Sequence, residues 1–126
     1  MTDRQTGKNS TFLTSMKHAL HGIKTVIHEE RNMKAHLSMA ALAILISFIS
    51  GLTALEWCFI LLCIFLVLVM EILNTVVENF VDLLVKKEYH IEAKKAKDIA
   101  AGGVLLSAGF TVVIAMIIIL PKWIHF

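Results

Sequence analysis

Residues 70–98 read MEILNTVVENFVDLLVKKEYHIEAKKAKD and combine an apolar helical pattern with regularly spaced charges. This stretch continues the long apolar run of residues 57–70 into a segment that also carries charge. Four polar residues recur there at helical spacing: Glu71, Asn74, Glu78 and Asp82. At about 100° per residue, these positions fall within an arc of about 80° on a helix. The pattern predicts one polar stripe along an otherwise apolar helix.

The two glutamates of the stripe need an explanation if the helix crosses a membrane. A carboxylate in hydrocarbon costs about 2.5 to 3.5 kcal/mol on insertion scales, and such residues usually mark functional sites. The alternative is that Glu71 and Glu78 are structural acids paired with Lys or Asn across an oligomer. Residues seven apart are separated by about 10 Å along a helix axis, so we expect the two carboxylates to have different roles at different depths.

The composition indicates a small all-α membrane protein. The chain has 126 residues, 57% of them hydrophobic, and a mean hydropathy of +0.75. We predict a single domain over residues 1–126 with spans at about 35–55, 57–82 and 99–120. Residues 11–31 have apolar side chains at steps of three and four, which favours an amphipathic helix on the membrane surface over one packed on a soluble partner. One copy has few helices to shield the stripe, so we expect a homo-oligomer.

Basic residues are distributed unevenly along the chain. Six precede the first predicted span, five lie between the second and third, and only Lys122 follows the third. By the positive-inside tendency, the N-terminus and the second loop are cytoplasmic, and the C-terminus is outside. The net charge of +2 is too small to indicate a nucleic-acid partner.

Further charged residues flank the predicted spans. Glu29 and Glu30 stand at the level of Glu78, where one of them would complete a magnesium site, although a solvated surface charge is an equal alternative. Lys97 and its neighbouring lysines suit phosphate groups or anionic lipid. Asp98 suits the N-cap of the third span.

Several short motifs give these residues a family context. They are ERN at 30–32, EILN at 71–74, VVEN at 76–79, VD at 81–82, EYH at 88–90 and AKD at 96–98. Together they closely resemble the small prokaryotic diacylglycerol kinase family, over nearly all of the chain after the first ten residues. The segment ERNMKAH at 30–36 is more similar to the undecaprenol kinase branch.

The resemblance implies a homotrimer of three-span subunits in the bacterial cytoplasmic membrane, with active sites between subunits. It implies transfer of the ATP γ-phosphate to a lipid primary hydroxyl, with magnesium. Glu71 and Asn74 become catalytic, Glu71 as the base and Asn74 in support, and Glu30 and Glu78 become magnesium ligands. Asp82 supports the site. The residues assigned to the nucleotide are Glu30, Glu78, Glu88, Tyr89, His90, Lys97 and Asp98.

The predicted function is therefore phosphorylation of undecaprenol to undecaprenyl phosphate. The alternative within the family is a diacylglycerol kinase that produces phosphatidic acid. From another class, a small proton-coupled transporter would use Glu71 as a proton site in the membrane. Such a transporter has no evident use for the lysine-rich loop or for the EYH segment.

Overall fold

The computed structural model describes residues 2–3, 8–9 and 11–124. Over residues 11–124 the fold is all-α, as predicted. The elements are β1 (Thr2–Asp3), β2 (Lys8–Asn9), α1 (Phe12–Glu29), α2 (Arg31–Ser50), α3 (Ala54–Val85) and α4 (Ile91–Trp123). The two short strands pair antiparallel.

Helix α1 is amphipathic and directly precedes α2. It begins at the N-cap Thr11, whose Oγ1 accepts a hydrogen bond from the backbone N–H of Thr14 at 3.1 Å. Its apolar side chains are largely exposed, with Phe12 at 80% and Leu20 at 59%, which suits contact with a membrane surface. Glu30 alone separates α1 from α2, in an extended conformation with φ −97° and ψ 116°.

Helices α2, α3 and α4 are each long and apolar enough to cross a membrane, and they are the three such helices in the described part of the chain. The protein is therefore a multi-pass membrane protein. Helices α3 and α4 have 32 and 33 residues. At 1.5 Å per residue each is about 50 Å long, whereas the hydrocarbon core is about 30 Å thick. Both helices therefore extend beyond the hydrocarbon.

The turn between α2 and α3 lies earlier in the chain than predicted. The first span was expected to reach residue 55, but α2 ends at Ser50 because Gly51 takes the left-handed conformation with φ 69°. A capping box then starts α3. The backbone N–H of Thr53 donates to Glu56 Oε1 at 2.9 Å, and the backbone N–H of Glu56 donates to Thr53 Oγ1 at 3.3 Å.

The connection between α3 and α4 is also short. Lys86 and Lys87 have positive φ angles of 48° and 71° and end α3, and α4 already begins at Ile91. The interpretation of Asp98 as the N-cap of the third span is therefore wrong, because His90 is the N-cap. Residues 91–98 are rich in Ala, Lys and Glu, which favour helix, and they continue into the apolar segment without a break.

Helices α3 and α4 form the main packing interface. A Cβ atom added to Gly103 would lie 2.6 Å from the Met70 side-chain methyl, so the two helices pack closely at this glycine. Gly102 and Gly109 have no such neighbour within 4 Å. An ion pair joins α3 and α4 at the end of the bundle far from Glu71, where Lys122 Nζ lies 2.9 Å from Glu56 Oε1.

Candidate active site

The polar stripe of α3 is graded from buried to exposed. Glu71 and Asn74 are 2% and 3% exposed, Glu78 is half-buried and Asp82 is exposed. The deep end of the stripe is therefore enclosed by the protein itself. The protein covers the carboxylate of Glu71, so this acid is not exposed to the surrounding lipid.

The surroundings of Glu71 come from three parts of the chain. His36 on α2 places Nε2 at 3.6 Å from Glu71 Oε2. Glu71 also interacts electrostatically with Glu78 on its own helix and with Glu30 at the junction of α1 and α2. Glu30, Glu71 and Glu78, which we call the acidic cluster, thus lie in one neighbourhood within a single subunit.

His36 was not among the site residues predicted from the sequence. Its signal was present in the sequence, because a residue that can carry charge near the start of a membrane span needs a partner. Periodicity along α3 cannot identify a partner on α2, since the pairing depends on how the two helices pack.

Asn74 connects the members of the stripe. Its Nδ2 donates a hydrogen bond to Glu78 Oε1 at 2.7 Å, which fixes one oxygen of the half-buried carboxylate. Its Oδ1 is buried and has no hydrogen-bond partner within the described residues. Buried acceptors are normally paired, so this oxygen suits a donor or a cation that arrives with substrate.

The predicted magnesium ligands present suitable chemistry for that ion. The carboxylates of Glu30 and Glu78 and the unpaired Asn74 Oδ1 are oxygen donors, which a hard cation prefers. Among residues 11–124, no three His, Cys, Asp or Glu side chains converge closely enough to enclose a metal by themselves. Magnesium at kinase sites is usually held by one or two carboxylates together with substrate phosphates, so an open set of ligands fits it.

A second group of predicted residues meets where α3 passes into α4. All five nucleotide candidates after Asp82 line one cavity of about 240 Å³: Glu88, Tyr89, His90, Lys97 and Asp98. Lys97 Nζ lies 2.5 Å from Asp82 Oδ1 and so joins α4 to α3. Lys94 Nζ lies 2.6 Å from Asp98 Oδ2. We call this the loop cavity.

Helix α3 joins the two groups. Asp82, beside the loop cavity, and Glu71, in the acidic cluster, are eleven residues apart, which corresponds to about 16 Å along the helix axis. Glu78 lies between them on the same face. The structure therefore brings the predicted site residues to one end of the bundle, as a continuous polar track from exposed lysines to a buried carboxylate.

This arrangement belongs to a known class of enzyme. A three-span helical membrane protein with such a track, and with relatives named as kinases of lipid alcohols, is a lipid kinase and thus a phosphotransferase. The family model described as prokaryotic diacylglycerol kinase matches residues 17–119, and the chain belongs to this family. The transporter alternative is therefore not retained.

Three relatives show where the chain lies within the family. It is 39% identical over 111 residues to an undecaprenol kinase of Bacillus subtilis, covering 88% of this chain and 89% of the relative. It is 36% identical over 110 residues to a diacylglycerol kinase of a Synechocystis species, covering 87% of this chain and 63% of the relative. A diacylglycerol kinase of Haemophilus influenzae is 28% identical over 96 residues, covering 76% of this chain and 80% of the relative.

Proposed function

We propose that this lipid kinase transfers the γ-phosphoryl group of ATP to the primary hydroxyl of undecaprenol, giving undecaprenyl phosphate. The observation that carries the proposal is the polar track of α3, which leads from the loop cavity to the buried carboxylate of Glu71. A water-soluble nucleotide and a membrane-bound alcohol need such a track in order to meet. The choice of undecaprenol is supported by the relative of that name in Bacillus subtilis.

The loop cavity is the proposed nucleotide site. Lys97 is held by Asp82 and is only partly exposed, with 39% of its side chain accessible. Its ammonium group offers charge-assisted hydrogen bonds to phosphate oxygens. Tyr89 and His90 supply aromatic surface and Glu88 and Asp98 supply acceptors for the rest of the nucleotide. Asp82 acts in support by keeping Lys97 beside α3.

Glu71 is the proposed general base. Its carboxylate accepts the proton of the lipid hydroxyl while the alcohol oxygen bonds to the γ-phosphorus and the bond from that phosphorus to the β,γ-bridging oxygen breaks, releasing ADP. Burial keeps bulk water away from this position, which favours the lipid alcohol over water as the acceptor. Asn74 supports the reaction because it fixes Glu78 next to Glu71.

Glu30 and Glu78 are the proposed magnesium ligands. When bound there, the ion offsets the negative charge of the phosphates. Glu30 is half-buried and Glu78 is held by Asn74, so both carboxylates have restricted positions.

The proposed homotrimer rests on the family resemblance, and the proposed orientation in the membrane rests on the charge distribution. The N-terminus and the connection between α3 and α4 face the cytoplasm, and the C-terminus faces outward, in the bacterial cytoplasmic membrane. Apolar side chains on α2 and α4 remain exposed in the single chain, among them Phe48 at 72% and Leu106 at 77%. This surface supports contact with lipid and with the neighbouring subunits of a homotrimer.

Diacylglycerol is the second candidate substrate. The family description and the relatives from Synechocystis and Haemophilus influenzae carry its name. Diacylglycerol and undecaprenol both present a primary hydroxyl above an apolar tail, so the same base and the same nucleotide site serve either alcohol.

The test is transfer of radiolabelled γ-phosphate from ATP to each alcohol in the same micelle preparation. We expect a higher kcat/KM for undecaprenol, and a higher value for diacylglycerol would reverse the assignment.

We expect Glu71→Gln to lower turnover by at least about 100-fold, as for loss of a general base, with nucleotide binding retained. The control Glu92→Gln changes an exposed acid on α4 and should behave like the wild type. Turnover near the wild-type rate in Glu71→Gln would remove Glu71 from the role of base.

A further inference from the structure

The imidazole of His36 has no role in the chemistry proposed above, yet it lies against the buried carboxylate at the centre of that chemistry. Its Nε2 is 3.6 Å from Glu71 Oε2, and the two side chains are 23% and 2% exposed. His36 belongs to α2 and Glu71 to α3. The contact therefore restrains the carboxylate from outside its own helix.

The rest of the His36 environment is apolar. His36 lines a cavity of about 260 Å³ between α2, α3 and α4, with side chains such as Met39, Val67 and Val112. The hydroxyl in this lining, that of Thr111, already donates to the Ser107 carbonyl oxygen at 2.8 Å. Within the described residues, Glu71 is the only acidic side chain within ion-pair distance of His36.

Glu71 in turn needs a restraint of this kind. Its other electrostatic neighbours include Glu78 and Glu30, two carboxylates that repel it. Asn74 also forms a side-chain hydrogen bond with Glu71, but its Nδ2 donates to Glu78 Oε1 as well, so Asn74 does not restrain Glu71 alone. A distance of 3.6 Å is longer than the usual 2.7 to 3.2 Å of an N–H···O hydrogen bond, and such contacts at catalytic sites often shorten when substrate binds.

We propose that His36 is the positioning residue of Glu71. It holds Oε2 from α2 against the repulsion of Glu30 and Glu78, so that the carboxylate stays directed at the lipid hydroxyl. The inference rests on the proposed function, in which Glu71 is the base. A residue that only fills space would not need a polar nitrogen, whereas a positioning residue does.

The first test compares His36→Ala, His36→Gln and the control His21→Ala, which removes an exposed histidine of α1. We expect His36→Ala to lower kcat by about 10- to 100-fold, as for a displaced catalytic group, with the KM for ATP within about twofold of the wild type. His36→Gln keeps a side-chain N–H donor and should recover a large part of kcat. A raised KM at unchanged kcat, or a glutamine variant no better than alanine, would overturn the proposal.

The second test places His36→Ala in a Glu71→Asp background, where the shortened carboxylate already lies away from the imidazole. If His36 acts through Glu71, its removal should then cost less than about threefold in kcat, because the two losses share one cause. A loss as large as in the wild-type background would overturn the proposal. If His36→Ala fails to fold, the same cycle is run with His36→Leu, which fills the volume without an N–H donor, and the same criterion applies.

Two results would locate a failure in the proposed function instead. Absence of phosphate transfer by the wild-type protein to either alcohol would overturn both proposals. Full activity in Glu71→Asp and in Glu71→Gln would overturn the assignment of the base, and the role of His36 with it. If Glu71 variants lose activity and His36 variants do not, the assignment of Glu71 as the base stands and only the positioning role of His36 is overturned.

Discussion

Replacing Asn74 with alanine tests the polar stripe where its geometry is best defined. The change removes the hydrogen bond from Asn74 Nδ2 to Glu78 Oε1, which is 2.7 Å long. Hydrogen bonds to charged groups contribute about 1.5 to 3 kcal/mol. Because Glu78 is half-buried rather than fully buried, we take the lower part of this range. At 1.4 kcal/mol per factor of ten, the expected loss in kcat/KM is about 10- to 30-fold.

The same substitution should have little effect on stability. Asn74→Ala also removes Oδ1, a buried acceptor without a partner among residues 11–124, and such a group costs about 1 to 3 kcal/mol. The lost hydrogen bond and the removed unpaired oxygen therefore offset each other in the free energy of unfolding. We expect a thermal unfolding midpoint close to that of the wild type, together with clearly reduced activity.

The assay measures phosphate transfer over a range of magnesium concentrations, and thermal unfolding in the same detergent. The control is Asn79→Ala, an exposed asparagine on the same helix. Activity within twofold of the wild type would show that Glu78 needs no fixing by Asn74. A large fall in the unfolding midpoint that parallels the loss of activity would show that Asn74 is structural.

Three further predictions concern the metal site, the nucleotide site and the helix packing. Glu78→Gln should raise the magnesium concentration needed for half-maximal activity by about tenfold, because one of two carboxylate ligands is lost; an unchanged titration would refute the ligand assignment. Lys97→Gln should raise the KM for ATP by about 5- to 10-fold and leave the KM for the lipid unchanged, since its charge is directed at phosphate; an effect on the lipid KM alone would contradict this. Gly103→Leu should destabilise the protein by about 1 to 3 kcal/mol, because the side chain overpacks the interface at Met70. Gly103→Ala should be milder, since the flexible Met70 methyl can move aside, and equal unfolding midpoints for the two variants would argue against close packing.

The helical framework was predictable because each helix carries its own signals. Periodicity and length indicated the surface helix and the apolar segments, and the stripe on α3 was visible in the spacing of Glu71 to Asp82. The ends of the helices were less predictable. The left-handed conformation of Gly51 ends α2 at Ser50, before residue 55, and the helix formers of residues 91–98 start α4 well before Asp98, the predicted N-cap.

The site was predictable along one helix but not between helices. The spacing of Glu71 and Asn74 defines a face, and the single chain already buries these two residues, although the sequence indicated that one copy has few helices to shield them. The contact of His36 with Glu71, and that of Lys97 with Asp82, depend on the packing of α2 and α4 against α3. The nucleotide candidates after Asp82 were grouped by family resemblance alone. In the structure these five residues lie close together, because they line one cavity.

The single extended residue between α1 and α2 has a mechanical consequence. Glu30 caps both helices at once, so any change in the angle between them is absorbed in the backbone torsions of this residue. A helix that lies on the bilayer and one that crosses it respond differently when the bilayer becomes thinner or more curved. Bending at Glu30 would move a carboxylate of the acidic cluster, so under the proposed function we expect the rate of phosphorylation to depend on the thickness and curvature of the membrane.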